Sequence, residues 1–210
     1  MEISDRRLSF DISGFALRLL VGWMLLSAIG LVYSRELVSF FLPYFSFIIH
    51  EVQSDFLPTL DIIGTGTGAE LRMSAQAIRD IPLNSDKYIP ALSRIDYTKA
   101  DLSHVLVPAV LFLSGMVSWP VRNFRELVYR IAFGTCAMLI VMSLTTPLFL
   151  AGKFEMWLSD NGAPSVSNWL VDWLIFTEVG GRWLLPIVAA TASVSFSRFL
   201  TQGRTIVAGL

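Results

Sequence analysis

Apolar residues along this chain gather into long blocks instead of recurring at the spacing of a soluble core. From Ile12 to Tyr33 only Arg18 is charged, and 22 residues at about 1.5 Å each reach roughly 33 Å, enough to cross a hydrocarbon layer. Two further blocks, Val105 to Ser118 and Ile131 to Leu150, flank a short polar insert from Trp119 to Arg130. The first of these crosses by length if its flanks are counted, because Leu102 to Val121 carries no fixed charge. Gly152 to Asn168, with Lys153, Glu155 and Asp160, reads as a second external loop, and Asn168 to Leu200 is too long for one crossing, at roughly 50 Å of helix. Gly180-Gly181 with Pro186 is the expected break, giving a short interfacial helix over Asn168 to Phe176 and a last span over Trp183 to Leu200.

The block from Leu37 to Ile49 is too short to span and contains Pro43. Its Phe40, Phe41, Tyr44, Phe45 and Phe47 fit an amphipathic or re-entrant helix at the bilayer surface. The expected fold is an all-α integral membrane protein with four transmembrane helices, two interfacial helices and a small external segment containing a β-hairpin. Residues 1–34 form the amino terminus and first span, 35–104 the external part, and 105–210 three further spans, with a cytoplasmic loop at 119–130.

Charge orients this scheme. The insert holds Arg122, Arg125 and Arg130 against one acid, Glu126, and short loops rich in Lys and Arg stay cytoplasmic. Both termini then lie inside, and the last span ends there with Arg198 and Arg204. Arg18 lies close enough to the cytoplasmic surface to snorkel. A cleavable leader fits less well than an anchor, because the polar stretch from Met1 to Asp11 has little net positive charge and Ala28-Ile29-Gly30 is a poor processing site.

Glu51 to Asp101 is the one long polar stretch and faces outward in this topology. Thr59 to Ile63 and Ala69 to Met73 read as strands joined by Gly64-Thr65-Gly66-Thr67-Gly68. A phosphate-cradling loop is the sharper reading of those glycines, but neither the dinucleotide fingerprint nor the P-loop lysine is present. Ile81-Pro82-Leu83-Asn84 and Tyr88-Ile89-Pro90 read as extended connectors, since a residue before proline is pushed out of the α region.

Composition agrees with a membrane protein: 54% of the 210 residues are hydrophobic and the mean hydropathy is +0.60. A net charge of −1 offers nothing to a nucleic acid. Cys136, the sole cysteine, excludes an internal disulfide and reads as an apolar packing residue.

Little in the chain points to catalysis. No serine triad, glycosidase carboxylate pair or helix-borne zinc motif is visible, and Cys136 and His104 fall at opposite membrane surfaces. His50, Glu51, Asp101 and His104 share the outer face and are the candidate metal ligands, weighed against an ordinary polar cluster at a membrane surface. Asp172, Glu178 and Arg182 sit beside apolar runs around Gly180 and Gly181. Glu178 and Arg182 have the i,i+4 order of an ion pair; these five residues are read as a hinge, or as a surface for docking a partner.

The layout resembles a family of bacterial inner-membrane proteins associated with exosortase H, membrane enzymes that process carboxy-terminal sorting signals of exported proteins. The residues carrying the resemblance are Ile81-Pro82-Leu83-Asn84, Val107-Pro108 and Gly180-Gly181-Arg182-Trp183-Leu184-Leu185-Pro186. The chain lacks the cysteine motif, the paired arginines and the number of spans of an exosortase itself. The resemblance implies an accessory role with no catalytic residue to carry over. The expected function is thus a non-catalytic accessory or structural subunit of a bacterial inner-membrane complex, with no cofactor and with lipid and other membrane subunits as partners. The alternative is a membrane enzyme handling a metal or small molecule through the histidine and carboxylate group. A transporter or channel ranks below both, because the spans lack paired broken helices with buried charges.

Overall fold

The computed structural model describes residues 12–64, 68–84, 87–163 and 168–202. Helices α1 (Ile12–Val32) and α2 (Ser34–Val52) come first. Five strands follow, β1 (Phe56–Ile63), β2 (Glu70–Ala77), β3 (Ile81–Asn84), β4 (Lys87–Ile89) and β5 (Arg94–Asp101). Then come α3 (Leu102–Ser118), α4 (Phe124–Asp160), α5 (Asn168–Phe176) and α6 (Arg182–Gln202), with a π-helical turn at Thr177–Gly181 before α6. The readings placed on Met1 to Asp11, Thr65 to Thr67, Asp86 and Arg204 lie outside the described residues.

The fold is mixed α/β, which corrects the all-α expectation. Strands β1, β2 and β5, eight residues each, form an antiparallel sheet in the order β1-β2-β5. This is a full sheet layer and not a small hairpin. Alternation explains it: Leu71, Met73, Ala75 and Ala77 point to one buried face of β2. The charges that made this stretch look like a polar loop pair largely across the other face, Lys99 with Glu70 at 3.0 Å and Arg94 with Asp61 at 3.8 Å and Asp96 at 3.1 Å. The two proline segments expected as connectors instead pair with each other, Ile81 with Ile89 and Pro82 with Tyr88. A two-stranded ribbon is all edge, where the missing proline N–H is tolerated.

The expected count of four crossings also needs correction. Among the described residues three helices are long and apolar enough to cross a membrane: Ile12–Val32, Phe124–Asp160 and the continuous Trp169–Gln202. The chain is a multi-pass membrane protein. Helix α3 has 17 residues, about 26 Å, short of the roughly 30 Å of a hydrocarbon core. It stops because Trp119 precedes Pro120 and takes an extended conformation, φ −82° and ψ 125°.

The insert at 119–130 is mostly helix. Only Trp119 to Asn123 is irregular, and Phe124 to Arg130 form the first turns of α4. Helix α4 then runs 37 residues to Asp160, through the first half of the region expected as an external loop from Gly152 to Asn168. Lys153 and Glu155 had marked that region as loop, yet Glu155 is buried in the helix and accepts a hydrogen bond from Gln53 Nε2 at 3.4 Å.

One core joins α2, the inner face of the sheet, the start of α3 and the upper half of α4, through Phe45, Ile49, Leu71, Met73, Leu102 and Phe154. The Phe56 and Phe154 rings meet edge to face at 4.8 Å. A smaller core of Phe112, Met116, Ala190 and Val194 joins α3 to α6. Helix α1 packs along α3 and buries only Gly30. The sheet thus caps one end of the bundle, and the α3–α4 connection marks the other.

Candidate functional site

Three places hold polar chemistry, and the end opposite the sheet is the most built. Asn123 caps α4: its Oδ1 accepts from the Glu126 N–H at 2.7 Å, while Glu126 Oε2 accepts from the Arg122 N–H at 3.0 Å. This reciprocal arrangement resembles a capping box, written in the sequence as Asn123-Phe124-Arg125-Glu126. The Glu126 carboxylate, 1% exposed, also accepts from Arg130 one turn on and from Arg198 Nε at 3.2 Å. Arg130 donates onward to the carbonyls of Trp119 at 2.6 Å and Met116 at 3.3 Å, and Arg198 to Pro120 at 3.1 Å. The Arg198 guanidinium lies over the Trp119 ring at 5.1 Å, and Phe15 of α1 packs on that ring at 4.9 Å. One carboxylate therefore ties together the ends of α3, α4 and α6, with α1 attached through an aromatic contact. The arginines spend most of their hydrogen bonds on helix ends and on Glu126, which makes the cluster a clamp, while Arg130 Nε is buried without a partner. Arg130, expected in a solvated loop, is buried in it.

The outer histidines do not converge. His50 Nδ1 bonds the Phe56 carbonyl at 3.0 Å, which fixes α2 to β1, and Glu51 is exposed beside it. His104 lies 3.8 Å from Asp101 at the start of α3. Among the described residues no three His, Cys, Asp or Glu side chains gather to hold a metal. This geometry weighs against the metal reading, because its ligands belong to two separate local pairs. Cys136 is exposed on α4 and not packed as expected. Near the sheet, Arg79 pairs with Asp55 at 2.7 Å; that hydrogen bond, then the carboxylate charge, hold the guanidinium above its ordinary range.

The hinge residues form the third place. Gly180 has φ 151° and ψ −6°, outside helical geometry, and the π turn that contains it shifts the helical register. For that reason Glu178 and Arg182 do not meet as an i,i+4 pair: among the described residues no ion pair joins them. Asp172 and Glu178 are exposed, and Gly181 is buried. Arg182 turns toward a small pocket that it lines with His104, Thr145, Thr146, Phe149 and Thr177. Pro147, near this level of α4, leaves the Ser143 carbonyl without its helical N–H. The Thr145 hydroxyl bonds Val141 instead, and the Trp173 indole reaches across from α5 to the adjacent Leu144 carbonyl at 2.6 Å.

Between α1 and α6, over α3, lies an apolar groove of about 730 Å³. Small residues floor it, Ser114, Gly115 and Ala190, with Trp23, Trp119 and Trp183 around it. No protein-family model matches the chain, and neither a curated protein nor a solved structure matches it.

Proposed function

We propose that this chain is a non-catalytic accessory or structural subunit of a bacterial inner-membrane complex that handles exported proteins, working beside an exosortase-type enzyme. The observation that carries this reading is the groove between α1 and α6. Helix α1 touches the body of the protein mainly along α3, leaving a wedge of about 730 Å³ against which the apolar side chains of another helix can pack. Small residues on its floor let a second backbone come close, which is how helices associate where lipid removes the hydrophobic drive. The polar clusters support the same reading, since the clamp is spent on joining helices and the histidines on local contacts.

In this proposal the Arg122, Arg125 and Arg130 end faces the cytoplasm with both chain termini, the sheet stands on the outer side, and the short α3, extended by Trp119 to Val121, carries the chain back between them beside the three long spans. The geometry supports it: Phe15 near the start of α1 and Arg198 near the end of α6 both meet the arginine end. Thr191 is exposed in the groove, so Thr191→Trp fills the wedge without touching either core. Extracted from its native membrane in mild detergent, the wild-type chain is expected to migrate with a stoichiometric membrane partner, and Thr191→Trp to migrate alone. A strictly monomeric wild type contradicts the proposal.

A further inference from the structure

Among the described residues Arg182 is a cation without a counter-charge. Its backbone N–H bonds the Gly180 carbonyl, but its guanidinium makes no hydrogen bond or ion pair with any described residue, and its Nε is buried without a partner. A charge held beside apolar helices is costly unless something pairs it, and such a residue marks a site by default. The pocket that it lines has no carboxylate in its wall. Two of its hydroxyls are already committed, Thr145 donating to Val141 at 2.9 Å and Thr177 to Leu174 at 2.8 Å. The ionisable groups left facing the pocket are Arg182 and His104, and Asp101 lies beyond His104. Among the described residues the wall therefore offers a guanidinium, an imidazole and no carboxylate, a setting that suits an anion.

Size and surroundings narrow the anion. The pocket is about 30 Å³, room for one or two water-sized groups, such as the oxygens of a phosphate whose remainder stays outside. Val179, Trp183, Leu184 and Ile187 are exposed apolar side chains on the same stretch of chain. Arg182 opens α6 and stands about 24 Å along that helix from Arg198, so its long side chain is within snorkelling reach of a second row of headgroups roughly 30 Å away.

We propose that Arg182, with His104 beside it, binds the phosphate of a phospholipid in the leaflet on the sheet side, the acyl chains lying along the apolar residues of α6. The π turn and Gly180 serve this site by turning Arg182 inward, away from Glu178. The proposal does not depend on the accessory-subunit reading, because its test needs no partner protein.

The purified full-length chain in mild detergent is titrated with phosphatidylglycerol and, separately, with a diacylglycerol of the same chains, and bound lipid is counted by native mass spectrometry. Wild type and Arg125→Gln, changed at the opposite end, are expected to hold one phosphatidylglycerol and no diacylglycerol. Arg182→Gln is expected to weaken phosphatidylglycerol about tenfold, the loss of one charge-assisted contact, with partial recovery in Arg182→Lys. Equal retention by wild type and Arg182→Gln overturns the site. Should Arg182→Gln fail to fold, the two lipids on wild type decide alone, and equal binding of diacylglycerol overturns it. Millimolar inorganic phosphate is expected to leave the lipid in place; displacement overturns the lipid headgroup as the source of the phosphate.

Discussion

Glu126 accepts hydrogen bonds from two guanidinium groups and a backbone N–H while almost wholly buried. Removing one partner of a buried ion pair leaves the other charge uncompensated, at a cost of about 3 to 5 kcal/mol. Glu126→Ala is accordingly expected to lower the unfolding midpoint in detergent markedly, whereas Arg125→Ala, on an exposed side chain, should leave it within about 0.5 kcal/mol of wild type. A midpoint equally unchanged in both variants would remove the clamp from the account. Part of this site is legible in the sequence: Asn123 and Glu126 have capping-box spacing, and Glu126 and Arg130 are one turn apart. Its burial is not legible, because Arg198 arrives from α6, and only tertiary packing distinguishes Arg130 from the exposed Arg122 and Arg125. His104 and Asp101 show the converse, a helical i,i+3 pair readable from spacing that joins no second pair.

Helix boundaries follow local chemistry closely in some elements and badly in others. Ile12 to Val32 and the break at Gly180 could be read directly, one from uninterrupted apolar length and the other from paired glycines. Helix α4 could not, since Lys153 and Glu155 imitate a loop unless the burial of Glu155 against Gln53 and the seat of Lys153 on the Phe149 ring are known. Gly152 makes the difference at the level of packing: a Cβ there would stand 2.6 Å from the Leu170 carbonyl oxygen and 2.9 Å from the Leu174 Cβ. Gly152→Leu should separate α5 from α4, losing about 1 to 3 kcal/mol by overpacking, and increase amide exchange over Asn168 to Phe176. Unchanged protection there would show that α5 is held by other contacts. Gly180→Ala places a Cβ at φ 151° and is expected to cost about 1 to 3 kcal/mol, with no contact to blame, because the space around Gly180 is open.

At the scale of the whole molecule, a sheet layer sits on one end of a helical bundle and a ring of arginine contacts on the other. The bundle was foreseeable from hydropathy. The sheet was not, because β2 pairs with β5 across some twenty intervening residues and its outer face carries the charges that mask the alternation. The same two-ended layout gives the central claim its most direct test. In a Cys136→Ala background, single cysteines are introduced at Arg125 and at Lys87, both exposed positions, and intact cells are treated with a membrane-impermeant maleimide. Labelling of the Lys87→Cys chain in intact cells, with Arg125→Cys reacting only after the membrane is permeabilised, is the predicted result. Labelling of both, or of Arg125→Cys alone, would contradict a protein that holds its arginine clamp inside the cell and its sheet outside.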